Sequence, residues 1–123
     1  MHSTEQKEIS VWDINSARIW DLFDPIVIRE RPNYNISFQS FRTPIPSKEQ
    51  YDLIIINAHH STYEKGMNKL KELGKLGKPV LALTTNGGME NRIALKKAGA
   101  TEVIDMVTTS LQILATIDRL LLD

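Results

Sequence analysis

The sequence predicts an α/β protein, a three-layer sandwich in which a five-stranded parallel sheet is covered by helices on both faces. Two observations carry this. Short β-branched runs alternate with amphipathic helical stretches along the chain, and two of the runs, LIII at 53–56 and VLAL at 80–83, are apolar at every position. A strand that is apolar on both alternating faces needs cover on both, which is the environment of a central strand in a parallel sheet.

The elements follow in order. Ile9 to Trp12 is a short β-prone run closed by Asp13. Asn15 or Ser16 then caps a helix carrying Ala17, Ile19, Trp20, Leu22 and Phe23, because a side-chain oxygen there accepts bonds from the free amides of the first turn. Pro25 kinks that helix, or breaks it so that Asp24 caps a second piece. NISFQSF at 35–41 alternates in the manner of an edge strand with one wet face. RTPIPSKEQ leaves room for at most one helical turn, so the second helix is shortened or missing.

After the strand at Leu53 to Ile56, Ser61 and Glu64 form a capping box. The helix they open carries Met67, Leu70 and Leu73, and Gly74 is placed to end it in a left-handed cap. Pro79 introduces the strand VLAL, and TTNGG turns into a helix with Ile93, Ala94, Leu95 and Ala98 before Gly99. Glu102 to Met106 is the fifth strand. Leu111, Ile113, Leu114, Ile117, Leu120 and Leu121 make the apolar stripe of the last helix.

At 123 residues the chain is one domain, 1–123, with residues 1–7 expected as a flexible leading segment. A net charge of zero gives no global attraction to nucleic acid or an anionic membrane, and the absence of cysteine excludes disulfides and thiolate chemistry. No apolar stretch approaches the roughly 20 residues of a membrane span, and MHSTEQKEIS lacks the apolar core of a secretory signal. A cytoplasmic protein with no direct nucleic-acid or membrane partner is the expectation.

Five parallel strands favour the flavodoxin-like order 2-1-3-4-5, in which ligands sit outside the carboxyl ends of strands one and three. Those ends carry Asp13 and Asn57. The part KPVLALTTNGGMENRIALKKAGATEVIDMVTTSLQILATIDRLL, together with YDLIIIN and ISVWDI, resembles the receiver (CheY-like) domain of response regulators over residues 8 to 121. The resemblance implies a phosphoacceptor at Asn57, an acidic Mg²⁺-holding pair at Asp13 and Ile14, a hydroxyl at Thr84, a lysine and proline at Met106 and Val107, and a switch aromatic at Val103. Of the five positions that carry the chemistry, Asp13 and Thr84 keep the expected type. An amide is a poor nucleophile, and Mg²⁺ is usually held through carboxylates, so a degenerate pseudo-receiver without phosphotransfer is expected.

Two uses of such a domain stand ahead of a flavodoxin-like enzyme unrelated to phosphotransfer, for which the rim offers no evident nucleophile paired with a base. The first is a non-enzymatic, cofactor-free interaction or dimerisation module in signal transduction or transcriptional regulation. Its expected face is the fourth helix, fifth strand and last helix, with Lys96, Thr101, Glu102 and Asp105 as contacts and a protein partner or second copy as occupant. The second is a ligand- or metal-sensing domain in which Asp13, Asn57, His59 and Thr84 line the emptied pocket. His59 and His60 lack evident further ligands and read as solvated loop residues. Lys65, Lys69, Lys71, Lys75 and Lys78 read as a solvated helix face, with a phosphate-binding patch as the alternative. TNGG precedes a helix but matches no phosphate-loop or dinucleotide fingerprint.

Overall fold

The computed structural model describes residues 6–13, 30–45, 50–58, 63–84, 88–105 and 110–122, with only the backbone of Asp13, Ala58, Tyr63, Ser110 and Leu122. Its elements are β1 (Lys7–Asp13), β2 (Tyr34–Ser40), β3 (Leu53–Ala58), α1 (Tyr63–Leu73), β4 (Val80–Thr84), α2 (Met89–Ala98), β5 (Glu102–Asp105) and α3 (Ser110–Leu122). The expected helix at 15–23, its kink at Pro25, Trp20, Ser61, Thr85 to Gly87 and much of the proline-rich stretch (46–49) lie outside the described residues.

All five strands pair in parallel, in the order β2-β1-β3-β4-β5. The strand alternation builds two cores. Leu53 and Ile55 of β3, with Leu81 and Leu83 of β4, pack against Ile113, Leu114, Ile117 and Leu120 of α3. Ile54, Ile56, Val80 and Ala82 point the other way, toward Leu70 and Leu73 of α1 and Leu95 of α2. The double burial read from LIII and VLAL is the direct consequence, each such side chain contributing roughly 1.5–3 kcal/mol on leaving water.

Several boundaries differ from the expectations. Lys7 belongs to β1, paired with Tyr34, because the parallel ladder extends past the apolar run. β3 continues to Ala58, so Asn57 is a strand residue opposite Leu83 rather than the first residue beyond a strand. Gly74 does not cap α1: the chain tightens into a 3-10 turn at Gly74–Leu76, and the left-handed residue is Gly77, at φ 78°. What requires Gly74 is contact, since a Cβ there would meet the Cα of Gly99 at 3.0 Å. Ile93 and Leu111, read as core, are exposed by 47% and 66%. The apolar stripes of α2 and α3 are narrower than the sequence periodicity suggests, because each helix touches the sheet along one line of contact.

Candidate functional site

The strand order reverses between β1 and β3, so the carboxyl edge there is where a ligand crevice opens in sheets of this kind. Asn57 is buried near the end of β3, and by strand alternation it shares the face of Leu53 and Ile55. Thr84 ends β4, also buried, opposite Ala58 and on the face of Val80 and Ala82. Its Oγ1 accepts a hydrogen bond of 3.0 Å from Nδ2 of Asn91 in the first turn of α2. The oxygen of the hydroxyl expected to meet a ligand is thus tied to the following helix as an acceptor. Asp13 is placed by its backbone, level with Ser40 of β2. Ile14, His59, His60, Met106 and Val107 lie outside the described residues, and Val103 is core.

The donor set does not suit the Mg²⁺ that the receiver resemblance implies. Asn57 offers an amide where a hard dication favours a carboxylate. Asp105, opposite Thr84 on β5, is a second carboxylate on this edge, but three strand spacings separate it from β1, about 14 Å. That is too far to share one ion with Asp13. Among the described residues no three His, Cys, Asp or Glu side chains gather as metal ligands.

The expected interaction face is more differentiated. Lys96 lies 3.9 Å from Glu102, whose other oxygen accepts a 3.0 Å bond from Nη2 of Arg119 on α3. Burial pushes the Glu102 carboxyl up, but the Arg119 bond, the Val103 amide and the charge of Lys96 together bring it below the ordinary value. Thr101 is committed to the fold, its Oγ1 accepting from the Val80 amide at 3.0 Å while its own amide donates to Val80 O at 2.7 Å. Asp105 sits beside Thr84 at the carboxyl edge of β5.

Residues not expected from the sequence complete this face. Met89, exposed by 71%, lies one turn before Ile93 and two before Lys96, so the three form one stripe of α2. Leu111, Ala115 and Arg119 form the matching exposed stripe of α3. The spacings 89, 93, 96 and 111, 115, 119 were available as signals, but nothing local told these stripes from the buried ones.

Lys69 overturns the reading of the lysines as a uniformly solvated face. It is only 11% exposed, 5.4 Å from the centroid of the buried Trp12 ring, and donates to Thr43 O at 3.2 Å. Lys65, Lys71 and Lys75 are exposed, as expected.

No protein-family model matches the sequence, and no curated protein matches it. Solved structures match closely in fold. A putative pilus assembly-related protein from Burkholderia pseudomallei superposes with a TM-score of 0.75 at 13% identity, covering 99% of this chain and 94% of that one. The receiver domain of a Francisella response regulator gives 0.70 at 17% identity over 94% and 97% of the two chains. A CheY-like receiver domain protein from Methanospirillum hungatei gives 0.69 at 20% identity over 95% and 94%. The fold is the flavodoxin-like, CheY-like fold of receiver domains.

Proposed function

We propose that the chain is an atypical receiver domain acting as a phosphorylation-independent interaction or dimerisation module in signal transduction or transcriptional regulation, without enzymatic activity or a cofactor. The observation that carries this reading is the face made by α2, β5 and α3. Met89, Ile93 and Leu111 stand exposed near the starts of their helices, at the carboxyl side of edge strand β5. Lys96, Glu102 and Arg119 form a mixed-charge set toward the other end. Apolar anchors beside charges of both signs suit a protein partner or a second copy of the same face, and disfavour a polyanion.

The carboxyl edge supports the phosphorylation-independent part. Asn57 lacks the carboxylate that would accept a phosphoryl group. A structural neighbour described as a putative pilus assembly-related protein gives this fold a setting outside a named response regulator. A ligand sensor built on Asp13, Asn57, His59 and Thr84 gains no comparable observation.

Acetyl phosphate or beryllofluoride with Mg²⁺ provides the test. Amide NMR signals near Asn57 and Thr84 are expected to stay in place, and the mass by light scattering at a given concentration is expected to be the same with and without the phosphoryl mimic. Saturable shifts at the two residues, or association that appears only with the mimic, would reverse the reading.

A further inference from the structure

A cavity of about 320 Å³ opens on the α1 side of the sheet, beyond the carboxyl end of edge strand β2, and its lining includes neither Asn57 nor Thr84 nor a described residue of the α2–β5–α3 face. It is lined by Ser40, Phe41, Arg42, Lys65, Asn68, Lys69 and Glu72. Among the described residues, the 41–45 segment and the flank of α1 meet over this side of β2 and β1, with Phe41 and Ile45 packed against the same core as Leu70 and Leu73. The volume falls at the lower end of the range small-molecule sites occupy, roughly 300–1,000 Å³.

The lining is chemically sorted. Lys69 is committed to the fold through Trp12 and Thr43, and lies 3.5 Å from Glu72, which largely offsets its charge. Arg42 and Lys65 are exposed, and neither makes a side-chain bond to another described residue. Ser40 Oγ accepts from the Arg42 amide at 3.0 Å and so fixes the backbone that carries the guanidinium. Phe41 contributes an aromatic wall that packs against the core, and Asn68 an exposed amide able both to donate and to accept. Two exposed cations, an aromatic surface and an amide in a cavity of this size meet the needs of a flat heterocycle joined to one phosphate.

We propose that this cavity binds a nucleoside monophosphate, its phosphate held by Arg42 and Lys65, its base against Phe41 and within reach of Asn68. The site is independent of the interaction face, and the two readings stand or fall separately.

Isotope-labelled protein titrated in parallel with guanosine monophosphate, adenosine monophosphate and inorganic phosphate at fixed ionic strength tests this by NMR. Saturable amide shifts at Phe41, Arg42, Lys65 and Asn68 are expected with at least one nucleotide. Affinity should fall about tenfold or more for inorganic phosphate, and by a similar factor in the Arg42→Ala/Lys65→Ala double variant, since each substitution removes a charge-assisted bond. Lys71→Ala, an exposed change on α1 outside this cavity, should bind as the parent does. Both substituted side chains of the double variant are exposed, so its spectrum away from the cavity should match the parent's and certify its fold. The proposal is overturned if neither nucleotide gives saturable shifts, if inorganic phosphate binds as well as the nucleotides, or if the double variant binds like the parent.

Discussion

Asp118, on α3, gathers Tyr34, the first residue of β2, and Arg31, three residues before it. Arg31 donates to it through Nε at 3.1 Å and Nη2 at 2.7 Å, and the Tyr34 hydroxyl donates at 2.6 Å. Burial, then the bond to Asp118 and its charge, push the Tyr34 phenol up to about 12 from an ordinary 10.0. The fold favours the neutral phenol, so the contribution to stability is complete below about pH 10 and is lost as pH rises through about 12. The difference in phenolate absorbance between parent and Tyr34→Phe should therefore titrate near 12, and a midpoint near 10 would refute the assignment. Asp118→Ala leaves a partly buried guanidinium unpaired and should cost about 2 kcal/mol in denaturant unfolding. None of this was legible in the sequence, because the partners stand 84 and 87 residues from Asp118.

At the scale of elements, the ends of α1 and α2 meet through two glycines. Gly99 ends α2 with its amide directed at the Lys96 carbonyl and with φ at 134°, a conformation that disfavours any side chain. A Cβ on Gly99 would also lie 3.1 Å from Gly74 Cα and 3.3 Å from Leu70 O. Gly77, at φ 78°, has nothing within 4 Å of the corresponding point. Gly99→Ala should thus cost about 2 kcal/mol or more, through conformation and collision together. Gly77→Ala should cost about 1 kcal/mol through conformation alone. Equal losses in urea unfolding would argue against the close helix approach. The sequence placed glycines after both helices and chose the wrong one as the left-handed cap of α1. Local rules place a stop where helical periodicity fails, whereas the 3-10 turn and the meeting with Gly99 depend on how the two helices lie side by side.

At the scale of the whole molecule, β2 and β5 are the sheet edges, and the proposed cavity and interaction face lie toward opposite edges. Replacing Met89 and Leu111 together by Glu alters two exposed side chains, so monomer stability should stay within about 0.5 kcal/mol. Association through the α2–β5–α3 face, measured by light scattering or partner capture, should weaken about tenfold or more, because exposed apolar anchors carry much of the energy in such contacts. Unchanged association would move the interaction elsewhere on the surface.

The sequence by itself determined the five-strand alternation, the doubly buried β3 and β4 and the amide at Asn57 near the end of β3. Those properties are written in periodicity and residue type within a few positions of each other. Tertiary structure alone decided that Lys69 lies against Trp12, that Ile93 and Leu111 face outward, that Arg119 joins Lys96 at Glu102, and that a cavity opens beside α1. Each of these depends on the line along which a helix meets the sheet, and that line is fixed by side chains distant in the chain and packed to fill space.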